Sequence, residues 1–180
     1  MAARDFLADT VIPADRILPT GMLGTQIDLR PLTFNPAAAR RSLVDSGYAV
    51  VSDLPALTLT YAVEGDNEQV VRALQQNWRD YLGIEVALEP LPLEEFIKRL
   101  DTTYFTPSQG LQFYLSVWGA DYPDPQNFLS QQLRSGVRNN NGHFSNDDFD
   151  RLVAEADRLS DRAQIERRVQ LYAQAEQKKQ

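Results

Sequence analysis

The order of hydrophobic patterns in the middle of the chain constrains its fold more than any other feature. Residues 57–63 alternate apolar side chains with small or polar ones, as a strand does. Residues 70–82 then place apolar side chains at helical spacing up to Gly83, and residues 84–88 alternate again. Two parallel strands need a crossover connection of this kind, which should be right-handed. The segment therefore predicts a βαβ unit.

The pattern continues into a second such unit. We expect a short helix after Pro92, a polar turn with Pro107 and Gly110, and a third strand at 111–117. A βαβαβ order predicts an α/β fold with a mainly parallel sheet and flanking helices. Further helices are predicted from Pro36, with Asn35 as the cap, at 127–134, at 149–159 behind a cap at Asn146 and Asp147, and after a capping box at Asp161 and Gln164.

Prolines and the two ends of the chain suggest its domain organisation. Pro13, Pro19 and Pro31 interrupt the first part, so we expect residues 1–34 to be an irregular lead-in. Residues 35–180 are expected to form one α/β unit. The first residues lack the pattern of a signal peptide, so the protein is either cytosolic or a piece of a longer chain. The last helical pattern stops without a cap, which favours a piece of a longer chain.

Composition narrows the classes of partner. The 180 residues include 25 acidic and 18 basic side chains, giving a net charge of −7. This balance argues against a nucleic-acid groove and against binding to anionic lipid. No apolar run approaches the roughly 18 residues needed to span a bilayer. The chain has no cysteine, which excludes thiol nucleophiles, disulfides and iron–sulfur clusters.

The densest group of chemically active side chains follows the third predicted strand. Ligands of parallel α/β sheets bind beyond the C-terminal ends of the strands, and residues 118–128 read WGADYPDPQNF. Asp121 could hold an ammonium group, Trp118 and Tyr122 could supply aromatic faces, and Gly119 permits close backbone approach. Two other interpretations stay open here. The acids could cap local turns while Trp118 is buried, or Asp121 and Asp124 could form a general acid–base pair.

The remaining candidates for chemistry are weak. His143, the single histidine, lies in an Asn- and Gly-rich turn, and no Gly-x-Ser-x-Gly elbow or phosphate-binding loop is present. The acidic stretch 146–150 lacks the spacing of a calcium loop. We therefore expect no catalytic residue, metal site or cofactor. The arginines at 162, 167 and 168 alternate with acids, and we expect them to form a solvated face.

Sequence motifs in a fixed order add a family resemblance. They are the 118–128 segment, LPTGMLG at 18–24, Asn35-Pro36 through Tyr48, residues 78–86 with Gly83-Ile84, and 139–150 followed by Leu152, Ala156, Leu171-Tyr172 and Ala175-Glu176. The set resembles the family 5 extracellular solute-binding proteins, the oligopeptide, dipeptide and nickel receptors of ABC importers. The resemblance covers roughly residues 16–176.

The resemblance implies a fold, a function and a site. It implies that residues 35–180 form one ligand-binding lobe of a type II periplasmic-binding-protein fold, incomplete at its C-terminus. This lobe is expected to lie outside the cytoplasm and to serve an ABC permease. Asp121 matches the acid that holds the α-ammonium of a peptide, Trp118 and Gly119 match positions lining the cleft, and Tyr122 is added to them. Residues 101–120 contain no Lys or Arg, whereas some peptide receptors carry basic side chains there. The resemblance makes peptide the leading ligand class. The missing basic side chains keep sugars and nickel complexes as alternatives.

Two other functions remain open from the sequence. One is a glycosidase-like hydrolase that uses Asp121 and Asp124. The other is the ligand-sensing domain of a transcription regulator.

Overall fold

The structure, a computed structural model, describes residues 14–25, 27, 29, 33–48 and 50–179. They divide into two compact units. The first unit comprises the described residues of Phe34–Val117. The second comprises those between residues 14 and 33 together with the segment that begins at Trp118. The predicted irregular character of residues 1–13 lies outside the described residues.

A three-stranded parallel sheet forms the centre of the first unit. Strand β1 (Leu57–Ala62) lies between β2 (Val86–Leu91) and β3 (Phe113–Leu115). Both neighbours run parallel to β1, and Leu59 is in register with Leu88 on one side and Phe113 on the other. The predicted α/β class with a parallel sheet is confirmed.

Helices cover both faces of this sheet. Helix α1 spans Pro36–Asp45, α2 spans Asn67–Leu82, and α3 spans Leu93–Phe105. Alternate strand residues point to opposite faces. One face buries Leu59, Tyr61 and Val86 with Val71 of α2, and the other buries Ala62, Leu91 and Leu111 with Phe96 of α3. Each strand therefore contributes apolar side chains to two layers of core.

Two strand predictions differ from the structure at their ends. The third strand was predicted at 111–117 but β3 has three residues, because the Gln112 side chain pairs with the backbone that precedes and begins β1. Its Oε1 accepts from Thr58 N–H at 2.7 Å, and its Nε2 donates to the Ala56 carbonyl at 3.2 Å. Strand β2 begins at Val86 rather than at 84, because Ile84 N–H caps α2 by donating to the Trp78 carbonyl.

The helix ends of the first unit follow from local chemistry. Asn35 caps α1 as predicted, since its Oδ1 accepts from Ala38 N–H at 2.9 Å. Gly83 ends α2 with a φ of 71°, a left-handed conformation that glycine adopts without a steric cost. The helix after Pro92 is longer than predicted, and Gly110 follows it in a tight turn. A Cβ on Gly110 would lie 2.5 Å from Thr103 Cα, so this position has no room for a larger residue.

The second unit is helical. It contains α4 (Pro125–Phe128), α5 (Ser130–Leu133), α6 (Asp147–Asp157) and α7 (Ile165–Lys179). Two short helices replace the single one predicted at 127–134. The Asn146 side chain caps α6 as predicted, but Asp161 caps a short 3-10 helix at Arg162–Gln164 rather than forming a capping box. The core contains Leu18, Leu129, Phe149, Leu152, Val153, Ala156, Leu171, Tyr172 and Ala175.

A buried carboxylate joins the N-terminal part of this unit to its last helix. Glu176 on α7 is fully buried, and its Oε1 accepts from the backbone N–H groups of Ile17 at 2.7 Å and Leu18 at 2.9 Å. Its Oε2 accepts from Arg16 Nε at 3.1 Å. A carboxylate with a charged partner and two backbone donors is satisfied without water. Glu176 thereby holds Leu18 in the core.

We predict that Glu176→Gln destabilises the protein by about 3 kcal/mol, because it leaves the Arg16 charge without its buried partner. Urea unfolding followed by circular dichroism measures this loss. Glu166→Gln, on the exposed first turn of the same helix, is the matched control and should change stability by at most about 0.5 kcal/mol. Equal midpoints for the two variants would contradict the role of Glu176.

Candidate functional site

The four residues predicted to bind ligand lie in one segment, where the second unit resumes at Trp118. Gly119, Asp121 and Tyr122 are exposed, and Trp118 is half-buried. Apart from Gly119 and its two chain neighbours, no described residue has a heavy atom within 4 Å of the position that a Cβ on Gly119 would take. The segment therefore presents an acid and two aromatic rings beside open space.

One buried side chain holds two of these residues. Asn127 on α4 is 1% exposed. Its Oδ1 accepts from the Trp118 indole Nε1–H at 2.8 Å and from the Asp121 backbone N–H at 3.3 Å. Its Nδ2 donates to Asp121 Oδ2 at 3.3 Å. The carboxylate of Asp121 is therefore exposed and attached on one side to a buried group.

Tyr122 is attached to the same helix by a different residue. Its hydroxyl donates to Gln126 Oε1 at 3.1 Å, although the residue as a whole is 38% exposed. The hydrogen bond fixes the far end of the ring while leaving ring surface in contact with solvent.

The second acid of the segment has a structural role. Asp124 caps α4, with its Oδ1 accepting from Gln126 N–H at 2.9 Å, and it accepts two bonds from Arg168 at 2.6 and 2.8 Å. Partial burial raises the pKa of the Asp124 carboxyl, but the bonds from Arg168 and from the Gln126 amide outweigh burial and leave its pKa below the ordinary value. A carboxyl held ionised in this way is a poor proton donor, which counts against an acid–base pair of Asp121 and Asp124.

Arg168 links Asp124 to buried side chains of the second unit. Its Nη2 also donates to the Tyr172 hydroxyl at 3.1 Å, and that hydroxyl donates to Asp157 at 2.6 Å. Burial raises the pKa of Tyr172 and the bond to Asp157 raises it further, so the hydroxyl stays protonated. Ser130 donates to the same Asp157 oxygen at 2.9 Å. The segment is thereby connected to α6 and α7.

The expectation that all three arginines form a solvated face is wrong for Arg168. Arg162 and Arg167 are exposed, but the Arg168 side chain is 12% exposed. Its position on α7 is one turn before Tyr172, on the side that meets Asp124 and α6. Neighbours in sequence could not reveal this, because Asp124 lies 44 positions away.

Sequence reasoning gave Asn127 no role of its own. It belongs to the 118–128 segment, where it is one of two adjacent amides, Gln126 and Asn127, that follow Pro125. What could not be read from sequence is its burial, which makes each of its bonds costly to lose.

Other kinds of site find no support in the part of the chain that the structure describes. No group of three or more metal-ligating side chains occurs among those residues. His143 is exposed and has a φ of 50°, in the turn predicted for it. Across the same described ranges, no helix combines the length and apolar character needed to cross a bilayer.

We predict that Arg168→Met destabilises the protein by about 1–3 kcal/mol at neutral pH, between the values for exposed and fully buried ion pairs. The pKa of Asp124 is lowered by folding, so its stabilisation is present above the unfolded-state pKa and is lost as the pH falls through the folded-state value. The difference between wild type and variant should therefore shrink in acid.

Denaturant unfolding at neutral and acidic pH measures this difference. Arg167→Met removes the exposed pair with Glu155 and is the matched control, expected to cost less than about 1 kcal/mol. An Arg168→Met loss as small as that of the control, or one that stays constant into acid, would contradict the structural role of the pair.

Known proteins share both the sequence and the fold of this chain. The sequence profile of the bacterial extracellular solute-binding proteins, family 5 Middle, matches residues 2–140. The chain is 27% identical over 136 residues to the oligopeptide-binding protein OppA of Bacillus subtilis, covering 76% of this chain and 23% of that protein. It is 29% identical over 184 residues to the probable deoxycholate-binding periplasmic protein YgiS of Escherichia coli, covering 96% of this chain and 32% of that protein.

The fold agrees with solved structures. The murein tripeptide binding protein MppA of Escherichia coli superposes with a TM-score of 0.80 at 22% identity, over 96% of this chain and 34% of that one. The fold is that of part of a type II periplasmic binding protein, as the resemblance implied. The chain spans between 19% and 32% of the length of the curated relatives it matches.

The family consists of binding proteins rather than enzymes, and its members are periplasmic or extracellular. The profile covers more than half of the chain, in agreement with the ordered motifs. The chain belongs to family 5 of the bacterial extracellular solute-binding proteins.

Proposed function

We propose that this chain is part of the substrate-binding component of an ABC importer and that its ligand is a peptide with a free amino terminus. The observation that carries the proposal is the exposed carboxylate of Asp121, held by Asn127 beside Trp118. The names of the relatives support the ligand class, since OppA is an oligopeptide-binding protein and MppA a murein tripeptide binding protein.

The carboxylate of Asp121 suits an ammonium group. Asn127 occupies Oδ2, and no donor among the described residues reaches Oδ1. A ligand ammonium can donate to this oxygen in a charge-assisted bond, which is roughly twice as strong as a neutral one. The surplus of acidic side chains favours a cationic group over an anionic one.

The aromatic residues supply the apolar part of the contact. Trp118 has its indole N–H bonded to Asn127, and Tyr122 has its hydroxyl bonded to Gln126, so both rings have a fixed polar end. Ring surface next to an ammonium adds cation–π attraction, worth about 0.5–2 kcal/mol. Gly119 keeps the space between them open for ligand backbone.

The basic side chains that bind the ligand's carboxylate have to come from outside this segment. Residues 101–120 contain no Lys or Arg, and Arg168 is committed to Asp124. We propose that a second lobe of the full-length protein supplies those contacts and closes over the solute in a hinge motion. The receptor then delivers the solute to permease subunits outside the cytoplasm, and it catalyses no reaction.

We predict that Asp121→Ala in the full-length protein lowers affinity for trialanine by roughly tenfold to a hundredfold, the value of one charged hydrogen bond. Its effect on N-acetyl-trialanine should be much smaller, because that ligand has no ammonium group. Isothermal calorimetry with both ligands gives the two ratios. Asp147→Ala, an exposed acid of the same unit, is the matched control and should change neither.

Equal losses for the two ligands would remove Asp121 from the ammonium role. Binding of deoxycholate in place of either peptide would move the ligand class toward that of YgiS. The 180-residue chain alone should bind trialanine weakly, because ordering and desolvation costs remain while the proposed contacts of the second lobe are absent.

A further inference from the structure

We propose that Asn127 is the positioning residue of the ligand site and that its carboxamide sets the preference for a free amino terminus. This rests on the proposed function, because the preference belongs to Asp121. Asn127 touches no ligand in this account. It acts by holding the two residues that do, through three hydrogen bonds from one buried group.

The chemistry of the three partners fixes the orientation of the amide. The Trp118 indole N–H and the Asp121 backbone N–H can only donate, so both need the amide oxygen. The Asp121 carboxylate, when ionised, can only accept, so it needs the amide nitrogen. A carboxamide turned by 180° would meet all three partners with the wrong atom. The assignment of oxygen and nitrogen is therefore determined by the site.

The requirement for both an acceptor and a donor selects asparagine at this position. An aspartate would offer oxygens to both N–H groups but would place a second negative charge beside Asp121. A serine would be too short to reach all three partners, and a glutamine would add a methylene to a side chain that is 1% exposed. The amide is thus matched to its partners in size and in polarity.

The backbone that carries Asn127 is itself fixed from the core. Its N–H donates to the Asp124 carbonyl at 3.0 Å, and the Asp124 carboxylate is paired with Arg168. Pro125, two positions earlier in the same helix, is also buried. The amide thereby holds the exposed carboxylate on a fixed support. Without it, the Asp121 carboxylate would lose its fixed direction.

The test compares Asn127→Ser with Asn140→Ser. Asn140 is the matched control because it is also a buried amide of the second unit, bonded to the carbonyl of Phe144 at 2.7 Å and to its N–H at 3.0 Å. Both variants should lose stability. The readout that separates them is the ratio of affinities for trialanine and N-acetyl-trialanine, measured by calorimetry on the full-length protein.

We expect Asn127→Ser to lower this ratio by about tenfold, the equivalent of one misplaced charged hydrogen bond, while Asn140→Ser leaves it at the wild-type value. The chain has two tryptophans, so the indole N–H signal of Trp118 can be resolved by NMR on the 180-residue protein. That signal should move in Asn127→Ser and stay in place in Asn140→Ser.

A ratio unchanged in Asn127→Ser, or equal losses for both ligands, would overturn the positioning role while leaving the proposed function intact. A wild-type protein with no preference for the free amine would overturn the ammonium role of Asp121 and this proposal together.

If Asn127→Ser does not fold, Asn127→Asp replaces it. That variant keeps both acceptor bonds, so the Trp118 signal should stay, but it loses the N–H that donates to Asp121 Oδ2, so the affinity ratio should still fall. A wild-type affinity ratio in Asn127→Asp would contradict the proposal.

Discussion

A carboxylate that is to bind a diffusing ligand, the role we propose for Asp121, must be open to solvent and still point in one direction. Exposed side chains lose orientation because water satisfies them in many rotamers. Asp121 is exposed, and its restraint comes from the buried amide of Asn127. The amide is restrained in turn by a helix that Asp124 caps by accepting from the Gln126 N–H. The direction of the Asp121 carboxylate is therefore set by buried residues.

The buried contacts come from one face of helix α7. Arg168, Tyr172 and Glu176 are spaced four residues apart and so lie on one face of the helix. Arg168 holds Asp124, Tyr172 fills the core and bonds to Asp157, and Glu176 holds the backbone of Ile17 and Leu18. One helix face thus connects the 118–128 segment, the core and the N-terminal part of the unit. Each of these contacts joins residues far apart in sequence, except for the bond of Tyr172 to α6.

Local patterns predicted the parts of the fold that local physics determines. The parallel sheet, the caps at Asn35 and Asn146 and the end of α2 at Gly83 follow from periodicity and from residue type. The predicted strand ends are wrong where a hydrogen-bonding group pairs with a distant or competing partner instead of with the neighbouring strand. The Gln112 side chain replaces backbone pairing before β3 begins. The Ile84 N–H donates to the end of α2, so Ile84 is not part of β2.

The candidate site shows the same division. The sequence placed Trp118, Gly119, Asp121 and Tyr122 in one segment, and their roles in ligand binding remain predictions. It could not place Arg168 against Asp124, since only the packing of α7 brings the two together. It also could not show which of the two acids is free to act. The structure separates them, because Asp124 is saturated by Arg168 and a helix cap whereas Asp121 has an open oxygen among the described residues.

The most direct test of the account is a crystal structure of the full-length protein with trialanine bound. The account predicts that the amino terminus of the peptide lies within about 3 Å of the Asp121 carboxylate, with Asn127 still bonded to Oδ2. A peptide whose amino terminus is bound by another acid, with Asp121 facing solvent, would contradict it.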